Sequence, residues 1–143
     1  MERVYEFLKK CGTYFLATCD DVKEGHPHVR PFGTIEIFDG KLCFQTGKNK
    51  PVSKQLHHSP KFEICAYDPE TQKWLRLSGD AVEEARIEAQ VQMLDAYPEL
   101  KGMYAPGDGV TEIFKIRAES HGTFLVFAVY KTVIYVNAFI VKS

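Results

Sequence analysis

Val4, Phe7, Leu8 and Cys11 recur at i, i+3, i+4 and i+7, so a single apolar stripe predicts an opening helix that Gly12 is placed to end. The period then shortens to two. Thr13–Cys19 is rich in aromatic and β-branched residues and predicts a strand, closed by the polar turn Asp20–Gly25. A long second strand is predicted over Pro27–Phe38. It runs into Asp39-Gly40, a strong two-residue hairpin signal, with Lys41–Thr46 as its antiparallel partner. Pro51–His58 reads as a short helix with proline in its first turn and Val52 and Leu56 on one face. Lys61–Tyr67, a turn at Asp68-Pro69 and Trp74–Val82 predict another hairpin. Glu84–Tyr97 predicts a third helix, with Ile87, Val91 and Leu94 on its inner face and Pro98 as its stop. After a loop at Pro106–Gly109, the strands Val110–Ala118, Thr123–Tyr130 and Thr132–Val141 complete the pattern.

Seven or eight hairpin-linked strands with three inserted helices predict a mainly β fold, an antiparallel split β-barrel rather than a parallel βαβ sheet. The length of 143 residues fits one domain spanning 1–143. With 45% hydrophobic and 26% charged residues, a packed core is expected and disorder is not. The formal charge of -1 offers no global attraction for nucleic acid or an acidic membrane, so any phosphate chemistry must come from a local cluster. Thr123–Val141 is apolar and long enough to span a bilayer, but Lys131 and Asn137 interrupt it and its Val, Ile, Phe and Tyr content favours two strands meeting near Lys131. Cys11, Cys19, Cys43 and Cys65 form no C-x-x-C pair, and with no secretory leader legible a reduced, cytoplasmic setting is expected.

Strand alternation puts His28, Arg30, Phe32, Thr34 and Glu36 on one face of the second strand. Arg30, flanked by Pro31, can pair with an acid such as Glu36 or grip an anion, because guanidinium presents a planar fork of donors. The third strand leads into Thr46-Gly47-Lys48-Asn49-Lys50-Pro51, which brings a hydroxyl, two ammonium groups and free N–H groups to a helix N-terminus, a suitable place for phosphate. If the Asp39-Gly40 hairpin pairs this strand with that of Arg30, both basic features can converge on one anion. Trp74, Arg76 and Ser78 share a strand face that could be solvent-facing, line a planar ligand or meet a second subunit. His26/His28 and His57-His58 have no third ligand at convincing spacing, so no metal site is expected. Walker, Rossmann, G-x-S-x-G and H-E-x-x-H motifs are absent.

The order of TYFLAT, PHVRPFG, DGKLCFQTGKNKPV-x-KQL, FEICAYD and WLRLSG resembles the pyridoxamine 5'-phosphate oxidase-like, FMN-binding split-barrel superfamily, in particular its short bacterial, nitroimidazole-reductase-like members. The resemblance covers most of 1–117. It implies FMN held between the subunits of a homodimer. Arg30, with Pro31 and Phe32 beside it, would grip the FMN phosphate, and Gln45 and Thr46 would line the flavin. Lys50 would hold phosphate with Lys48 and Asn49 nearby, and Trp74 and Arg76 would face the partner's flavin or the dimer seam. The final residues Ile140–Ser143 lack the Trp- and Arg-containing segment of authentic pyridoxamine phosphate oxidases, so vitamin B6 oxidation is not expected. The expected activity is an FMN-dependent oxidoreductase passing electrons from a nicotinamide donor, NAD(P)H, to a small nitro- or quinone-type acceptor. Three alternatives stay open: a non-catalytic flavin-binding or redox-sensing module, a haem-binding split barrel with His26, His28 or His121 as axial ligand, and a purely structural dimeric barrel.

Overall fold

Gly12 ends the first helix, α1 (Glu2–Cys11), in a left-handed conformation at φ 68°, from which its N–H reaches the carbonyls of Leu8 and Lys9. Val4 and Leu8 are buried from this helix against the sheet. The computed structural model describes residues 1–19 and 25–117 together with the backbone of 124–129 and 132–137. After α1 come β1 (Tyr14–Cys19), β2 (Pro27–Phe32), β3 (Glu36–Phe38), β4 (Lys41–Gly47), α2 (Pro51–His58), β5 (Lys61–Asp68) and β6 (Lys73–Glu83). They are followed by α3 (Ile87–Ala96), a 3₁₀ turn at Pro98–Gly102, β7 (Thr111–Arg117), β8 (Phe124–Val129) and β9 (Thr132–Asn137).

The strands join antiparallel in the order β2-β1-β5-β6-β7-β4-β3, with β8 added beside β6 and β9 beside β8. The first and last strands of that order are consecutive in the chain. Only Gly33–Ile35 separate β2 from β3, so the sheet must curl until its two edges nearly meet. The fold is the expected antiparallel split barrel. Phe44, fully buried on β4, stacks on Phe114 of β7 with ring centroids 5.7 Å apart and meets Phe32 edge-on at 5.5 Å, tying both sides of the barrel into one core.

Four expectations are corrected. The single strand predicted over Pro27–Phe38 is two strands, because the backbone of Thr34 and Ile35 bonds to side chains instead of to a neighbouring strand. Tyr14 donates its hydroxyl to Thr34 O at 2.7 Å, while Tyr97 Oη accepts from Ile35 N at 2.9 Å and donates to Ile35 O at 3.0 Å. The Asp39-Gly40 turn forms as predicted, with both residues at positive φ, but it pairs β4 with β3. The strand carrying Arg30 pairs with β1 instead, Leu16 opposite Arg30. Helix α3 begins at Ile87 rather than at Glu84, since Glu84 N continues the ladder by donating to Ile113 O. Its buried residues are Ala89, Gln90, Met93 and Leu94, and Ile87 and Val91 stay exposed.

The apolar stretch at the end of the sequence forms an antiparallel strand pair, Phe124–Val129 against Thr132–Asn137, and no helix among the described residues is long and apolar enough to cross a membrane. The Asp20–Gly25 turn, apart from Gly25, and the predicted turn at Lys131 lie outside the described residues.

Candidate functional site

Alternation along β2 turns His28, Arg30 and Phe32 to the half-buried side and leaves Pro27, Val29 and Pro31 exposed. Proline is tolerated at position 31 because β2 is an edge strand. Phe32 packs into the core against Tyr14 and Phe44. Arg30 Nη1 donates to Thr18 Oγ1 at 2.7 Å and to Leu16 O at 3.4 Å, and Nη2 donates to Gln55 Oε1 at 2.7 Å. All three acceptors are neutral. Desolvation lowers the Arg30 pKa, yet guanidinium remains charged. Glu36, the acid named as one alternative partner for it, is instead held by Lys9 at 2.8 Å and by Tyr5. Among the described residues, therefore, no carboxylate offsets this partly buried positive charge.

Gln55 belongs to α2, which connects Arg30 to the second basic feature. Lys50 is the N-cap of that helix and extends over the Tyr104 ring, 5.8 Å from its centroid, and the first turn of α2 carries no acid. The helix thus presents an uncompensated positive end. Arg30 and Lys50 share α2 but no contact residue, so they are joined by the helix and not by the hairpin. Lys48 is committed elsewhere, with its ammonium 3.0 Å from Glu83 Oε1. Asn49 folds back over Gly47, where an added Cβ would come within 2.8 Å of Asn49 Oδ1 and 3.3 Å of the Tyr104 ring, so a side chain at position 47 would have to push the Asn49 amide aside.

Gln45 and Thr46 are both buried, on opposite faces of β4. Thr46 lies opposite Glu112 in the β4–β7 pair, and Gln45 lies opposite Ile113, on the side covered by α3. Both polar side-chain atoms of Gln45 and the hydroxyl of Thr46 have no hydrogen-bond partner among the described residues. Orphaned buried polar atoms of this kind mark places where water or a ligand belongs.

Trp74 and Arg76 stand on the outer face of β6. Arg76 forms a two-pronged ion pair with Glu63, at 2.9 and 2.7 Å, which Ser78 reinforces at 3.1 Å. Cross-strand pairing sets Phe15 beside Cys65, Cys65 beside Arg76 and Tyr67 beside Trp74 on this same face. Phe15, Val29 and Tyr67 are more than half exposed there, at 51%, 64% and 52%.

The chain matches the family model described as pyridoxamine 5'-phosphate oxidase over residues 1–123. It belongs to that family. Among solved structures, it is similar to a NimC/NimA family protein from Clostridium acetobutylicum, with 31% identity, a TM-score of 0.82, and 95% of this chain and 93% of that one covered. A general stress protein 26-related protein of the same organism shares the fold at 14% identity and TM-score 0.74, covering 96% and 93% of the two chains. So does a heme binding protein from Mycobacterium smegmatis, at 16% identity and TM-score 0.68, covering 91% of this chain and 57% of that one. No match was found among curated proteins.

This pyridoxamine 5'-phosphate oxidase family member also has a cluster that spacing along the sequence could not reveal. His57 Nε2, in the last turn of α2, lies 2.7 Å from Glu112 Oε1 at the start of β7 and 3.9 Å from Glu83 Oε2 at the end of β6. These residues are far apart in sequence, and only the folded sheet brings them together.

Proposed function

We propose that this chain binds FMN through Arg30 and the N-terminal end of α2 and works as a dimeric, flavin-dependent oxidoreductase. The observation that carries the reading is the Arg30 guanidinium, half-buried among neutral acceptors with its charge unanswered by any described acid. A phosphate monoester brings about two negative charges and acceptor oxygens that match guanidinium and ammonium donors. Arg30 supplies one cation and Lys50 another, with the N–H groups of the first turn of α2 beside Lys50. The orphaned Thr46 hydroxyl suits a polar ligand at the end of β4, where β3 no longer covers the strand, whereas the Gln45 amide faces the other way, under α3.

When bound, FMN supplies the electron transfer, here from a nicotinamide donor to a small nitro- or quinone-type acceptor. The protein's share is to bind and orient it. Thr18 and Gln55 fix the Arg30 fork, and Gly47 keeps the corner between β4 and α2 tight. The apolar outer face around Phe15, Val29, Tyr67 and Trp74 is the surface on which a second copy would pack, in keeping with aromatic-rich interface cores.

The absorption spectrum of the purified protein, with mass analysis of any released chromophore, tests this reading. Flavin bands and released FMN are expected, with anaerobic bleaching by NAD(P)H, and Arg30→Ala should lose FMN while remaining folded. A Soret band, or FMN retained undiminished in Arg30→Ala, would overturn it. Bound flavin that NAD(P)H fails to bleach would reduce the protein to a passive flavin carrier.

A further inference from the structure

The Glu112 side chain has no exposed surface. One of its oxygens, Oε1, meets His57, while Oε2 is buried without a hydrogen-bond partner among the described residues. Across the β4–β7 pair, Thr46 directs an equally orphaned hydroxyl from the same face. A buried carboxylate is costly unless cations or donors satisfy it, and among the described residues its one hydrogen-bond partner is a half-exposed imidazole.

We propose that His57, Glu83 and Glu112 form a binding site for one divalent transition-metal ion of zinc type. The proposal does not rest on flavin binding. Their donor atoms all lie within 4.8 Å of one another, one from each of α2, β6 and β7. Around tetrahedral zinc, with nitrogen and oxygen donors at about 2.0–2.2 Å, neighbouring ligand atoms stand roughly 3.3–3.6 Å apart. The separations from His57 Nε2, 2.7 Å to Glu112 and 3.9 Å to Glu83, bracket that range, so small side-chain rotations complete the geometry. Two carboxylates and a neutral imidazole carry two negative charges, matching a dication. The Phe114 ring, 5.4 Å from the His57 ring, walls one side, and the exposed side of His57 leaves a route in and a fourth position for water. Calcium and magnesium ask for six or more oxygens, whereas an imidazole with two carboxylates suits zinc, cobalt or nickel. Lys48, 3.0 Å from the other Glu83 oxygen, is the cation a metal would have to displace.

Chelator-treated protein titrated with Co²⁺ and then Zn²⁺ tests the site. One Co²⁺ per chain is expected, with a visible d–d absorption that Zn²⁺ abolishes. His57→Ala and Glu112→Gln should each weaken binding at least about tenfold, since even partners that merely support a metal ligand are worth that much. Glu83→Gln offers the same test at a half-exposed carboxylate, where folding is under less threat. Lys48→Ala should tighten binding by removing the competing ammonium. His58→Ala, which removes the adjacent exposed imidazole, should leave it unchanged. Absence of saturable Co²⁺ binding would overturn the site, as would affinity unmoved by His57→Ala or lost equally in His58→Ala.

Discussion

Arg30 Nη2 donates to Gln55 Oε1 at 2.7 Å, and the same oxygen accepts the Thr18 hydroxyl at 2.6 Å, so a strand arginine is locked to the middle of α2 through a neutral amide. The neutrality matters. Gln55→Glu has nearly the same shape but would place a carboxylate against the guanidinium and answer the charge that otherwise seeks an anion. It should therefore weaken FMN binding by roughly tenfold or more, each factor of ten being about 1.4 kcal/mol. The fold should be kept. FMN quenching titrations of wild type and variant measure the difference, and equal affinity would remove Arg30 from the phosphate site.

Tyr14 is fully buried, and burial pushes its phenol pKa well up, so the hydroxyl stays a neutral donor to Thr34 O. Tyr14→Phe keeps the ring and leaves that carbonyl unpaired. A loss of about 1–3 kcal/mol is expected in urea unfolding, the usual cost of a buried orphan. Tyr97→Phe, which frees both the N–H and the carbonyl of Ile35, should cost at least as much. A neutral result for both would mean the β2–β3 break is not held by these hydroxyls.

Three carboxylates are held at a pKa of about 2. Asp68 is bonded by Lys10 and Thr71, Glu84 by Arg86 and Lys115, and Asp108 by the Thr111 and Ala105 N–H groups. Their ordinary values are 3.8 for aspartate and 4.5 for glutamate. Carboxylates depressed on folding contribute stability above their ordinary pKa and lose it as pH falls through the folded value. The Tm should hold from neutrality to about pH 4.5 and then decline steeply towards pH 2. Asp68→Asn should flatten part of that decline. Thermal scans across this range decide it, and a Tm level between pH 4.5 and 2.5 would contradict the assignment.

The outer face around Phe15, Val29 and Tyr67 gives a prediction on assembly. Charges placed there, as in Val29→Glu with Tyr67→Lys, remove no core contact but would be trapped in an apolar subunit interface. Light scattering should show a dimer for the wild type and a monomer for the double variant, with unchanged circular dichroism. A wild-type monomer, or a dimer that survives both charges, would send the interface elsewhere.

Local pattern and long-range pairing were unequally legible in the sequence. Pro51–His58, the buried Leu75 and Leu77 opposite Trp74 and Arg76, and the positive-φ turn at Asp39-Gly40 follow from rules spanning a few residues, and each is found where periodicity placed it. That Arg30 shares a face with His28 and Phe32 was legible for the same reason. Its strand partner was not. The break after Phe32 depends on hydroxyls 20 and 62 positions away, from Tyr14 and Tyr97, which no window on β2 contains. In α3 two apolar stripes compete. Ala89 and Met93 win over Ile87 and Val91 because Cys43 and Ile113, on β4 and β7, provide the surface they cover. His57, Glu83 and Glu112 illustrate the same limit, since their meeting is a property of the folded sheet alone.

The short link at Gly33–Ile35 reaches beyond topology. Where β3 stops pairing after Cys43, the far half of β4 faces the slit without a strand alongside, and β2 likewise has a strand on one side only. One amide on that side is already taken, Gln45 N donating to Thr34 Oγ1 at 3.0 Å, and a molecule lodged in the slit can bond to the remaining main-chain amides and carbonyls, which every residue type carries. Side-chain truncation would leave those bonds intact, so an alanine scan would under-report how firmly the slit holds its guest. Proline substitutions along β4, which delete amide hydrogens, would expose the difference.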